Sequence, residues 1–157
     1  MSRAIGAVAL ALAVMSFAPG AQAQIKAGVL SCDVSGGFGW IIGSVKSVNC
    51  VFIPDVPGPR EAYVGTIRKF GLDLGVTTRQ EMVWGVFANT WAGRPGALSG
   101  DYVGATGEAT VAVGLGANVL VGGSNRAIAL QPVSVTGQTG LNVAAGVADL
   151  QLRPVGR

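Results

Sequence analysis

Histidine is absent from the 157 residues, and that omission bounds the chemistry more tightly than any motif does. Without imidazole there is no Ser-His-Asp or Cys-His nucleophile system, no imidazole general base and no histidine-dependent zinc or haem site. Cys32 and Cys50 are the only cysteines. An even count in a chain that carries an export signal favours a disulfide between them, and no C-x-x-C spacing marks a redox pair. Closing that loop should stabilise the fold by about 3 kcal/mol on the chain-entropy model, and it removes thiolate chemistry as well. Carboxylates are what remain for an enzyme, namely Asp33, Asp73, Asp101 and Glu108. A glycosidase needs two of them facing each other across a cleft. Asp73 and Glu108 fall in strand-like runs and read instead as solvated groups, or as partners of Arg68, Lys69 or Arg126. No D-x-D-x-D loop offers calcium an oxygen cage. The expectation is a protein that is not an enzyme, with no catalytic residue, cofactor or metal ligand assigned.

Residues suited to contact are easier to find. Gly114-x-Gly116 with Gly122-Gly123 superficially matches a phosphate loop, but Val119 occupies the third glycine position and a strand, not a helix, follows. Gly123-Ser124-Asn125-Arg126 is a better candidate, because hairpin amides beside an arginine can hold an anion, while Asn and Gly at a hairpin need no function. Trp91 and Arg94 stand together in the irregular stretch 89–100 (NTWAGRPGALSG). Tryptophan with arginine on a loop is typical of contact hot spots. The alternative for Trp91 is a lid folded back on the core. The candidate partner or ligand contacts are therefore Trp91, Arg94, Asn125 and Arg126, whereas Trp40 and Trp84 lie in strand-like runs and are expected in the core.

Strands must position these residues. The stretch 25–33 (IKAGVLSCD) reads as the first, and the runs 38–43 and 45–53 return from it so that Cys50 comes back towards Cys32. Pro54, Pro57 and Pro59 cannot enter a sheet ladder, so 54–59 is an exposed loop. Further strands are read over 61–70, at Leu72, Leu74 and Val76, at Met82, Trp84 and Val86, and at Tyr102 and Val103. The glycine-rich stretch 104–152 organises the rest. In it Val111, Val113 and Leu115 alternate with Thr110, Ala112 and Gly114 as a strand would. Val119 and Val121 follow, then a turn at 122–125, then Ile128 and Leu130, a short strand after Pro132, and a closing run over 141–152. One face of this sheet carries small residues, so another layer can cover it closely. The tail 153–157 is expected to fray. The predicted fold class is all-β, an antiparallel sandwich or small closed barrel of about eight to ten short strands.

Residues 1–23 form a secretory signal peptide: Arg3, an apolar run over 4–17, the break Pro19-Gly20 and the cleavage site Ala21-Gln22-Ala23. Residues 24–157 are then a single all-β domain in the periplasm or secreted, with no transmembrane segment after cleavage. Over the whole chain, 11 Lys and Arg stand against 8 Asp and Glu, a surplus of +3. So small an excess, spread without a run, argues for neither nucleic acid nor an anionic membrane as partner.

The phrases IKAGVLSCDVSGGFGWIIGS, KFGLDLGVTT with MVWGVFA, and GANVLVGGSNRAIALQPVSVTGQTGLNVAAGV together resemble the small exported bacterial proteins of the family termed domain of unknown function 992. The likeness covers essentially the whole chain beyond the signal peptide. It implies a small envelope protein and carries over no activity, cofactor or site residue. The functional expectation is a non-enzymatic binding or structural module of the cell envelope, acting on an envelope protein. The alternative is a carrier of a small apolar ligand or lipid. Behind these stand a small outer-membrane barrel, disfavoured by short strands and the lack of aromatic girdles, and a carboxylate-only hydrolase.

Overall fold

Alternation of apolar and polar residues sets the strands, and their pairing closes the sheet on itself. The computed structural model describes residues 24–34, 44–69, 80–104, 110–112, 114–116, 118–135 and 147–156. The strands are β1 (Ile25–Val34), β2 (Ser44–Pro54), β3 (Glu61–Lys69), β4 (Gln80–Ala88), β5 (Gly100–Gly104), β6 (Leu120–Gly122), β7 (Ile128–Val135) and β8 (Val147–Pro154). They form a closed barrel in the order β1-β2-β3-β8-β5-β6-β7-β4, every pair antiparallel, with β4 returning to β1. Of the two architectures left open by the sequence, the barrel is the one adopted. The expected runs at 38–43 and 72–76, and with them Trp40, Asp73 and Glu108, lie outside the described residues.

Inward positions recur every second residue. Leu30, Cys32 and Val34 of β1 face Val48, Cys50 and Phe52 of β2, and Met82, Trp84 and Val86 of β4 complete that side. Tyr63, Ile67, Tyr102, Leu150 and Leu152 fill the other. Each such side chain contributes about 1.5–3 kcal/mol by leaving water. Cys32 and Cys50 are direct cross-strand partners, bonded at 2.05 Å inside this core. The alternate positions, among them Asp33, Asn49, Thr66 and Arg68, are exposed on the outer wall.

Three readings of the sequence are corrected. The described residues of the run at 110–115 are not a strand: Thr110–Ala112 is a 3-10 turn, and Gly114 and Leu115 join no ladder. Val111 and Val119 pack with Val121 and Ala129 in a second apolar cluster, joined by Phe87 and Leu115. Val111, Ala112, Leu115 and Val119 therefore supply a layer that covers the outside of β6 and β7. Gln24 Nε2 donates to the Val111 carbonyl at 2.6 Å, and the Gly116 amide donates to Gln131 Oε1 at 2.6 Å. Second, the short strand expected after Pro132 is continuous with the run at Ile128 and Leu130 as β7. Pro132 lies within β7 beside the register shift against Val83 and Trp84, where the ladder is already interrupted and the missing N–H is tolerated. Third, the tail does not fray from residue 153: Arg153 and Pro154 pair with Val64 and Tyr63, and the Val155 amide donates to the Ala62 carbonyl at 3.0 Å.

Closure requires neighbouring backbones to approach where the sheet coils, and Gly65 permits it. A Cβ at that position would stand 1.7 Å from the Gln151 carbonyl oxygen on β8, whereas one at Gly104 would meet nothing within 4 Å. Gly65→Ala is therefore expected to lose at least about 2 kcal/mol, the scale of overpacking, and Gly104→Ala to change stability by less than about 1 kcal/mol. Denaturant unfolding of the two variants checks this; equal effects would show that the β3–β8 approach is not tight.

Candidate functional site

Consecutive strands alternate in direction, so every second connection emerges at the same end of the barrel. The links β2–β3 (residues 55–60), β4–β5 (89–99) and β6–β7 (123–127) converge there, with the start of β1 and the end of β8. Pro57, Pro59, Pro95 and Pro154 lie on these segments and stiffen them, and Pro54, paired with Gly28, closes β2 just before the first. We call this the proline end.

The 89–99 loop is fixed to the core at Leu98, which is fully buried. Tyr63 and Tyr102 stand inside the barrel with their hydroxyls turned to this loop. The Tyr102 hydroxyl donates to the Leu98 carbonyl at 2.8 Å, and the Leu98 amide donates to the Tyr63 oxygen at 3.3 Å. Tyr63 in turn donates its proton to the Glu61 carboxylate. Gly96, at φ 74, lets the chain turn back above Leu98, and Ser99 Oγ closes that turn on the Gly96 carbonyl at 2.7 Å. Burial pushes the Tyr102 hydroxyl above the ordinary tyrosine range, with a smaller push from Tyr63. The Tyr63 hydroxyl is raised first by burial and then by its bond to Glu61, against the pull of the Leu98 amide.

The sequence-read contact residues part company here. Trp91 is half-buried and meets Phe52 edge to face, with ring centroids 5.5 Å apart. Its Nε1 is buried with no hydrogen-bond partner among the described residues. Arg94 is exposed on the same loop. Asn125 and Arg126 are exposed in the 3-10 turn Ser124–Arg126, both at positive φ, 57° and 52°. The Arg126 and Ala127 amides donate to the Gly123 and Ser124 carbonyls, so those two are not available to an anion; the Arg126 guanidinium is. Gly123 lies against Gly100, which ties this turn to the base of the 89–99 loop. Trp84 is in the barrel interior, as expected. Asp33 is exposed on the outer wall, and Asp101 accepts from Gln151 Nε2 at 2.8 Å on the wall between β5 and β8. The two carboxylates are on different sides of the barrel and face no common cleft.

A cleft of about 410 Å³ opens between the converging segments, lined among others by Arg60, Glu61, Tyr63, Pro95, Pro154 and Val155. Arg60 and Arg153 escaped notice in the sequence. Their signal is an arginine next to a proline: Pro59-Arg60 just before β3, Arg94-Pro95 within the 89–99 loop and Arg153-Pro154 at the end of β8.

The family model described as Protein of unknown function (DUF992) matches residues 11–153. The chain belongs to this family. No curated protein and no solved structure matches it. In this DUF992 barrel the proline end thus has to be understood from its own chemistry.

Two outcomes follow from the anchoring of the loop. Trp91→Ala should destabilise the fold by about 2–4 kcal/mol, as truncation of a packed aromatic does, while Trp91→Phe keeps the edge contact, removes the unpaired N–H and should cost less than about 1 kcal/mol. Urea unfolding measures both, and a loss below about 0.5 kcal/mol for the alanine variant would show that Trp91 is no lid. The tyrosines set an alkaline limit. Their folded pKa values are raised above an unfolded value of about 10, so their contribution is complete below that pH and is lost as pH rises past it. Unfolding free energy measured between about pH 8 and pH 11 should fall, and the fall should be shallower in Tyr102→Phe; identical slopes would remove Tyr102 as the cause.

Proposed function

We propose that the protein is an exported envelope module that acts by binding, with the proline end as its contact surface. The observation that carries this reading is the Leu98 anchor. Two core tyrosines hold the 89–99 loop by its backbone, so Arg94 and the walls of the cleft are presented by a stiff platform. Preorganisation of this kind lowers the entropy lost when a partner docks. A chain without histidine, whose two cysteines are joined, has few groups left for catalysis. The described interior is filled by Trp84, Tyr63, Tyr102, Phe52 and aliphatic side chains, so an apolar cargo carried inside would have to displace them. That favours contact at the surface over transport in the lumen. The described interior is apolar apart from Lys46, and the outer wall mixes valines with the charged Asp33, Arg68 and Asp149, whereas a membrane-spanning barrel turns a continuous apolar band to lipid. No helix among the described residues is long and apolar enough to cross a membrane. The apolar segment at 1–23 and the disulfide support export to an oxidising compartment.

Immobilised exported protein should retain a component of its own envelope fraction, identified by mass spectrometry of both proteins and lipids. Arg60→Gln with Arg94→Gln should reduce that retention at least about ten-fold, the effect of losing more than 1.4 kcal/mol at a contact, without lowering stability. Arg68→Gln on the wall should not. Equal retention by the two variants would sink the assignment of the proline end.

A further inference from the structure

Resting on that reading of the proline end, we infer that the surface it meets is an anionic lipid headgroup layer. The first observation is charge. Arg60, Arg94, Arg126 and Arg153 are all exposed, and each belongs to a different chain segment arriving at this end. None of the four makes an ion pair among the described residues. Of the acids near this end, Asp55 pairs with Lys26 at 3.7 Å, while Glu61 accepts the Tyr63 hydroxyl and Asp101 the Gln151 amide, both keeping their charge. With Lys26 the arginines still outnumber Asp55, Glu61 and Asp101 there, five against three, so much of the chain's surplus of +3 is gathered at one end.

The second observation is apolar exposure on the same rim. Val56 is 56%, Val155 48% and Ile25 47% exposed, and Ile53 adjoins them on β2. Backbone hydrogen bonds join these segments: the Asp55 amide donates to the Ala27 carbonyl, and the Val155 amide to the Ala62 carbonyl. Interleaved guanidinium and aliphatic groups suit a bilayer surface, where phosphates meet the cations and short aliphatic chains enter the acyl boundary. A single-stranded nucleic acid would call for exposed stacking aromatics. Here Phe52, Tyr63 and Tyr102 are buried and Trp91 lies on Phe52. A second copy presenting the same basic rim would be repelled. Arg126, kept at positive φ in a turn packed on Gly100, shows backbone strain maintained where one of the four charges is displayed.

The test is flotation of the exported protein with vesicles of phosphatidylethanolamine, with and without phosphatidylglycerol. Binding is expected only with phosphatidylglycerol, and it should weaken strongly at about 0.5 M salt. Each of Arg60→Gln, Arg94→Gln, Arg126→Gln and Arg153→Gln should lower partitioning roughly five-fold. Val56→Ser with Val155→Ser should lower it further, and Arg68→Gln should leave it unchanged. These positions are exposed, and thermal melts establish that the variants fold. No binding to the anionic vesicles, or undiminished binding by the fourfold arginine variant, overturns the inference. So does binding abolished by millimolar inorganic phosphate and indifferent to the two valines, which would mark a free-phosphate site. Failure with vesicles alongside arginine-dependent retention of an envelope protein would defeat the lipid inference and leave the binding function standing.

Discussion

Eight strands closed into a ring leave an interior that side chains alone can fill, and the rest of this protein follows from that limit. Trp84, Tyr63, Tyr102 and Phe52 occupy much of it, with the Cys32–Cys50 bridge among them. Closure also removes the sheet edges on which another chain could pair. Among the described residues the lumen is filled and no strand edge is free, so contact with anything else falls to the outer wall and the two ends. The wall is broken up by charges already engaged locally, such as Arg68 with Asp149 and Asp101 with Gln151. The ends are where the sequence is free to specialise.

At the proline end the core itself supplies the fixtures. Tyr63 and Tyr102 bury their rings with the other core residues but project their hydroxyls to the rim, where both polar groups of the Leu98 backbone are satisfied. A buried peptide group left unpaired would cost about 1–3 kcal/mol, so the tyrosines are what allows a loop to be drawn into the barrel mouth at all. Core packing and surface geometry are thereby one structure. A change that loosens either ring would blur the position of Arg94 as well as lowering stability.

Local alternation made much of the framework legible. The runs 25–33, 45–53 and 61–70 lie within one residue of β1, β2 and β3, because each alternates in character and ends in glycine, proline or charge. Alternation failed at 110–115 because a segment that packs one side on an outer wall can show the same pattern without making a ladder. Periodicity reports which side is buried, and only pairing distinguishes a strand from a cover. The choice of barrel over sandwich rests on β8 entering between β3 and β5, and its partners are far from it in sequence. The lid contact of Trp91 was open to the same objection: loop composition places it outside the strands, but not over Phe52.

The charge on the proline end was hidden for a related reason. In an antiparallel barrel the parity of a connection decides the end at which it emerges. Arg60, Arg94 and Arg126 belong to the second, fourth and sixth connections and so share an end, joined by Arg153 at the close of the eighth strand. Along the chain neighbouring members are roughly thirty residues apart and look evenly scattered. Counting 110–115 as a strand adds one reversal, and Arg126 is then assigned to the opposite end. One misread element is enough to dissolve the cluster, since charge that is dispersed in sequence becomes a surface only when the number of reversals is right. The four arginines are thus a property of the topology as much as of the composition, and net charge alone has no access to it.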